Sequence, residues 1–282
     1  MKNNKTVLKT KTLKVYKNNK LNKASFADYS LNDYQVFLHI ISKIGGVNEV
    51  GKYLQPEELQ REYILTVKEF EKVFSISNGY PVLKKVADKL LNTQIEIEKP
   101  DLLESWKINV CEMAKYSKQN GYIKIKFTES IMPYLAQVKK RFILYNLKEI
   151  AQFNSIYTTR LYELLQEFKD TGVMIKSVEQ LREIFAVGKK YATYKDFKVK
   201  TFSHAVNEIN SQYDIDLKFN EIKESRKVVA LEFLFKQTFT IKGVNPFTGK
   251  EQNIYIKPKR KSQQNAPDKM ELNPEQQELN LK

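Results

Sequence analysis

Cysteine, histidine and long apolar runs are scarce in this sequence, and each scarcity removes a class of function. Cys111 is its one cysteine, which excludes an internal disulfide framework and a cysteine-built zinc site. The two histidines, His39 and His204, stand far apart, and neither has a histidine beside it. That excludes a nuclease holding its metal with a close histidine pair. A tyrosine recombinase is excluded too, because its His-x-x-Arg would need arginine where this chain has Asn207. No Gly-x4-Gly-Lys-Ser/Thr phosphate loop occurs, since Gly188-Lys-Lys lacks the loop glycine and the hydroxyl residue. With 16 tyrosines, one resembling a nucleophile arises by chance, so no enzyme, metal site or cofactor is expected. No apolar run approaches the roughly 20 residues of a membrane helix, and Val36–Leu38 is already interrupted by His39. The basic N-terminus lacks the apolar stretch of a signal peptide. The expectation is a soluble protein of a reducing, cytoplasmic compartment, with no membrane partner.

Positive charge is what the chain has in excess. Its 282 residues carry 48 Lys and Arg against 33 Asp and Glu, a net +15, which points to a polyanionic partner. Residues 1–30 hold eight lysines and one acid, Asp28, so about half the excess lies there. Residues 1–25 accordingly read as a basic flexible arm, either solubilising or laid along phosphates. The length fits about two domains. Within the second, Lys189, Lys190, Lys195, Lys198 and Lys200 are interleaved with Tyr191, Tyr194, Phe197 and Phe202.

The middle of the chain repeats one pattern. Val67–Phe74 reads as a short helix, followed by the turn Ser77-Asn78-Gly79. A longer helix then shows Leu83, Val86, Ala87 and Leu90 on one face, and the strand Ile95-Glu96-Ile97 closes the unit. The second copy runs from the helix Val178–Phe185 through a lysine-rich connection to a helix with Phe202, Ala205, Val206 and Ile209. Its strand is Ile215-Asp216-Leu217. Both long helices have the i, i+3, i+4, i+7 spacing of one buried face. Alternating strand pairs follow. Ile108–Ala114 and Tyr122–Phe127 flank Lys118–Gly121, while Leu217–Ile222 and Val228–Phe233 flank Lys223–Lys227. Helix, turn, helix and a two-stranded wing is the order of a winged helix. The fold class expected is α+β, two tandem winged helices with small antiparallel sheets, over 26–140 and 141–240. Residues 241–282, rich in Asn, Gln, Pro and Lys, read as a flexible tail.

In a winged helix the second helix of the pair enters the major groove and the wing tip contacts backbone or minor groove. The face opposite the apolar one presents Lys195, Lys198, Lys200, Ser203, His204 and Asn207 in the second copy. In the first it presents Tyr80, Lys84, Lys85 and Lys89. The second wing adds Lys223, Arg226 and Lys227. Asn suits adenine, Ser several base edges, and Lys guanine or phosphate. His204 on this face reads as a DNA contact.

Taken in order, several stretches resemble the initiator Rep proteins of theta-replicating, iteron-containing bacterial plasmids. They are Leu31-Asn-Asp-Tyr-Gln-Val-Phe-Leu38, Leu65-Thr-Val67, Tyr80-Pro-Val-Leu83-Lys-Lys, Gly121-Tyr-Ile-Lys-Ile-Lys-Phe127 and Ile131-Met-Pro-Tyr134-Leu135. The series continues with Ser155-Ile-Tyr-Thr-Thr-Arg160-Leu-Tyr-Glu-Leu164, Leu181-Arg-Glu183, Ala205-Val-Asn-Glu-Ile-Asn210 and Arg226-Lys-Val228. The resemblance implies double-stranded DNA as partner: monomers on repeated origin sequences, opening the origin and recruiting the host replicative helicase and initiator proteins. It further implies a homodimer, in equilibrium with the monomer, that represses the initiator's own promoter. By the same resemblance the second-copy residues are the main readers and Lys84, Lys85 and Lys89 the secondary contacts. This chain has Lys where Arg would fork onto guanine, which favours phosphate over base-specific roles.

Val36, Leu38 and Ile41 belong to an apolar stretch that reads as core of the first domain, with a subset assigned to the dimer interface. Lys257-Pro-Lys-Arg-Lys261 is a basic cluster, and Gln276-Gln-Glu-Leu279-Asn-Leu281 loosely resembles a sliding-clamp-binding peptide without its terminal aromatic. Two other readings stay open: a tandem winged-helix transcriptional repressor without initiator activity, and a self-assembling protein with secondary DNA binding.

Overall fold

The computed structural model describes residues 13–44, 54–99, 104–135, 142–236, 240–244 and 251–255. It begins with strand β1 (Lys14–Asn18) and helix α1 (Asn19–Lys23), followed by α2 (Leu31–Ser42). A capping box starts α2: Ser30 Oγ accepts from Asp33 N–H, and Asp33 accepts from Ser30 N–H at 2.8 Å. The basic arm expected over 1–25 is thus corrected from residue 14 onward. Leu21 and Asn22 are buried, and Lys17 is fully so.

The first winged helix runs β2 (Glu62–Thr66), α3 (Val67–Phe74), α4 (Gly79–Leu91), β3 (Gln94–Lys99), β4 (Glu104–Asn109), β5 (Cys111–Ser117) and β6 (Tyr122–Phe127). Its sheet has the order β2-β6-β5, while β3 and β4 pair separately. The strand read as Ile108–Ala114 is therefore two strands of different sheets, parted at Val110, whose N–H donates to Thr93 O at 3.0 Å. After α5 (Met132–Leu135), β7 (Phe142–Asn146) returns to pair antiparallel with β1. The first unit consequently extends past residue 140.

Helix α6 (Ile156–Glu167) leads into the second winged helix. This consists of β8 (Val173–Ser177), α7 (Val178–Ile184), α8 (Tyr194–Lys198), α9 (His204–Gln212), β9 (Lys218–Glu224) and β10 (Lys227–Leu234), with sheet order β8-β10-β9. Each wing is thus the outer part of a three-stranded sheet, not a free pair. The expected strand Ile215–Leu217 is instead a turn, with Asp216 at φ 49° and its neighbours buried. Asp tolerates that left-handed conformation. β11 (Thr240–Val244) and β12 (Glu251–Tyr255) form a hairpin inside the expected tail. The Lys257–Lys261 cluster and the clamp-like peptide lie outside the described residues.

The duplication extends to the capping chemistry. Each short helix springs directly from its strand through a capping box. Thr66 Oγ1 accepts from Glu69 N–H at 3.2 Å, and Ser177 Oγ from Gln180 N–H at 3.0 Å. In return Glu69 and Gln180 accept from the Thr66 and Ser177 N–H groups. The turn before α4 carries its positive φ at Asn78 (70°) rather than at Gly79. A Cβ on Gly79 would meet Phe70 and Glu71 side-chain carbons at 3.1–3.2 Å, so any larger residue there requires those side chains to shift.

Ten of the twelve residues of α2 are buried, the pattern of a helix at the centre of a core. Val36, Leu38 and Ile41 are at most 1% exposed, so their assignment to a dimer surface is corrected: they pack inside a single chain. His39 is buried between Phe70 and Phe74, at centroid distances of 6.4 and 6.0 Å.

Candidate nucleic-acid interface

Residues 194–212 form one continuous helical segment: α8, a π-helical turn over Val199–Ser203, and α9. The spacing of its apolar residues explains the π turn. Phe197 and Phe202 are five apart, which a regular α-helix would place about 140° apart around its axis. Both are fully buried, with ring centroids 5.5 Å apart. The i to i+5 winding admits the additional residue and keeps both rings in the core. Thr201, also buried, donates its hydroxyl to Phe197 O at 2.6 Å.

The opposite face presents Lys195, Lys200, His204 and Asn207 exposed, with Ser203 half-buried among them. Among the described residues no ion pair engages Lys195 or Lys200. Lys198 is different. Its ammonium donates to Glu221 Oε1 of β9 at 2.7 Å, and Tyr194 OH donates to the same oxygen at 2.9 Å. The Lys198 ammonium also lies over the Phe219 ring at 5.4 Å. Lys198 and Tyr194 together hold the Glu221 carboxyl below the usual carboxylate range. Lys198 therefore fastens the helix to the wing from within the set of expected readers. His204 Nε2 lies 3.7 Å from Glu208, itself the acceptor for Asn154 N–H at 2.6 Å.

At the wing tip Lys223, Arg226 and Lys227 are exposed around a tight turn with Ser225 at φ 56°. The loop entering α8 is ordered by Arg182, whose guanidinium donates to the carbonyls of Tyr191 and Lys190 at 3.0 Å each. It stacks 4.9 Å from the Phe197 ring centre. Sequence reasoning missed Arg182 because its partners are main-chain oxygens, which side-chain identity does not reveal. It also missed Val199, 52% exposed on this face, because the expected periodicity had no π turn.

In the first winged helix Lys84 and Lys85 are exposed on α4. The other two residues predicted there face the protein. Lys89 pairs with Asp33 at 2.7 Å and lies over the Tyr29 ring at 5.1 Å. Tyr80 is half-buried, its ring edge-on to Tyr116 of β5 at 5.2 Å. Both fasten α4 to its neighbours, and both remain partly exposed. Among the described residues no cluster of His, Cys, Asp and Glu could hold a metal. No helix among them is long and apolar enough to cross a membrane.

This architecture coincides with known sequence families in both halves. Residues 14–166 match the family described as Initiator Replication protein, WH1, and residues 177–235 match Initiator Rep protein, WH2. The chain belongs to the initiator replication protein family. The first matched segment begins at β1 and takes in the whole first winged helix, and the second takes in α7 through β10. A Replication initiation protein of Escherichia coli is 31% identical over 149 residues, 52% of this chain and 45% of that protein. The PI protein of Escherichia coli is 29% identical over 150 residues, 47% and 49% of the two chains. The chain thus spans about half the length of the curated relatives it matches. Its fold is similar to the Pi initiator protein crystallised with iteron DNA, at a TM-score of 0.63 and 23% identity, covering 80% of this chain and 97% of that one.

Proposed function

We propose that this initiator-family chain starts replication of the plasmid that encodes it by binding repeated origin DNA through its two winged helices. The carrying observation is the 194–212 segment: Lys195, Lys200, Ser203, His204 and Asn207 share one solvent-facing side within a domain matched by the initiator family. Lysines seat the helix on phosphate while Ser203, His204 and Asn207 read base edges. Lys84 and Lys85 supply a second, sequence-independent anchor, and Lys223, Arg226 and Lys227 hold the wing on the flanking backbone. The Pi initiator's complex with iteron DNA supports repeated sites as the target. A homodimer that represses the initiator's own promoter, and recruitment of the host helicase and initiator proteins to the opened origin, belong to the same reading. No catalytic role is assigned.

The direct test is complementation. A plasmid carrying the flanking DNA but lacking this gene should replicate only when the protein is supplied in trans. A Lys195→Ala/Lys200→Ala/Asn207→Ala variant should fail to sustain it. Replication without the protein, with promoter activity as the only property it changes, would establish the repressor instead.

A further inference from the structure

The face just described contains one residue that fits none of the polar roles. Val199 is the most exposed of the large apolar side chains among the described residues, at 52%. It begins the π turn, one turn before Ser203 and one turn after Lys195, with Lys200 beside it. A lone exposed valine elsewhere would need no explanation. Here it occupies the middle of the surface whose lysines would draw it against DNA.

Its placement follows from the core. Burying Phe197 and Phe202 together requires the additional residue of the π turn. Thr201 is held inward by its hydrogen bond to Phe197 O, leaving Val199 and Lys200 on the outside. A β-branched side chain is stiff at χ1, so its two methyls are presented with little entropy left to lose. The major groove offers one apolar group to such a side chain, the 5-methyl of thymine.

We infer that Val199 is a specificity-determining residue that contacts a thymine 5-methyl in the recognised duplex, reading A·T position and orientation where the lysines cannot. This rests on the 194–212 segment entering the major groove, as proposed above. Ser203 and Asn207 supply hydrogen bonds further along the same side, and Val199 supplies the apolar element. The π turn thereby has a functional consequence: it sets which side chain meets the methyl.

The test uses the full chain and a duplex it selects from a randomised library. Each thymine of that duplex is replaced singly by uracil, which removes only the methyl. Wild-type protein should lose about fourfold in affinity at one or two thymines, the worth of one buried methyl. Val199→Ala should bind the unmodified duplex about fourfold more weakly and be indifferent to uracil at those positions. Val199→Ile, which keeps an apolar branched side chain, should retain the sensitivity. Circular dichroism melts matching wild type would show that an exposed position has been changed without unfolding. Indifference of the wild type to every uracil, or an unchanged uracil pattern in Val199→Ala, would overturn the inference. A selected duplex absent from the DNA flanking the gene would sink the origin-binding reading while leaving the Val199 contact standing. Failure to select any duplex would end both.

Discussion

Lys17 of β1 and Glu163 of α6 are joined at 2.7 Å across 146 residues of sequence, with both side chains fully buried. Around them Tyr34 donates to Glu163 at 2.5 Å and Tyr145 at 2.6 Å, while Arg160 donates to Tyr34 at 2.6 Å and to the carbonyls of Asn22 and Ala24. Burial lowers the Lys17 ammonium to about 8, with Glu163 opposing that loss. Burial alone would raise Glu163, but Lys17 and Arg160 outweigh it and hold the carboxyl below its ordinary value. The network ties the N-terminal strand to the helix that leads into the second winged helix.

Removing one partner of such a pair strands a buried charge. Lys17→Met should therefore cost about 3–5 kcal/mol of stability, read as a lower urea midpoint at unchanged slope. Deleting residues 1–23 should abolish the folded first domain rather than merely weaken DNA binding. A loss below about 1 kcal/mol for Lys17→Met would contradict the buried network, since exposed pairs are worth no more than that.

His39 predicts a pH dependence. Burial, with the nearby Lys43 charge, lowers its pKa from 6.5 to about 4, and its Nδ1 has no hydrogen-bond partner. The folded chain keeps it neutral while the unfolded chain protonates it below about 6.5. The His39 contribution to stability should be complete above pH 6.5 and fall by about 3 kcal/mol as pH drops toward 4. His39→Leu should flatten that interval. The depressed carboxylates Asp33 and Glu163 act at lower pH, so a profile unchanged between 6.5 and 4.5 in His39→Leu would refute the assignment.

The two lysines flanking Val199 should behave differently. Lys200→Ala should reduce the slope of log affinity against log salt by about one, the signature of a lost phosphate contact. Lys198→Ala should change that slope less and lower the melting temperature more, because Lys198 is spent on Glu221. Equal slope changes in both would show that Lys198 meets phosphate as Lys200 does.

Asn207→Ala should cost about 1–3 kcal/mol on the specific duplex and relax preference at one base pair. Lys84→Ala and Lys85→Ala should weaken specific and random DNA alike. Equal losses on both kinds of DNA for Asn207→Ala would remove its reading role.

How much of this was legible in the sequence follows from the range of the interactions. Helix α3 and the buried face of α4, with Leu83, Val86, Ala87 and Leu90, were readable because 3.6-residue periodicity is local. The winged-helix order was readable for the same reason, twice over. The N-terminal segment was misread because Lys17 looks like any solvated lysine until Glu163 is brought beside it. The ion pairs of Lys89 and Lys198 are hidden in the sequence likewise, each owing its partner to another element, Asp33 or Glu221. The β3–β4 hairpin was missed because Ile95–Ile97 looks like a closing strand when its partner follows after a break. The π turn hid in the five-residue spacing of Phe197 and Phe202, which a helical template does not contain.

Binding of this chain to repeated origin sites is tested most directly by footprinting the purified protein on the DNA flanking its gene. The titration should be run at two salt concentrations. Protection of several direct repeats at about one helical turn or its multiples, persisting at the higher salt, is the expected result. A single protected inverted repeat, or protection that disappears at the higher salt, would contradict it.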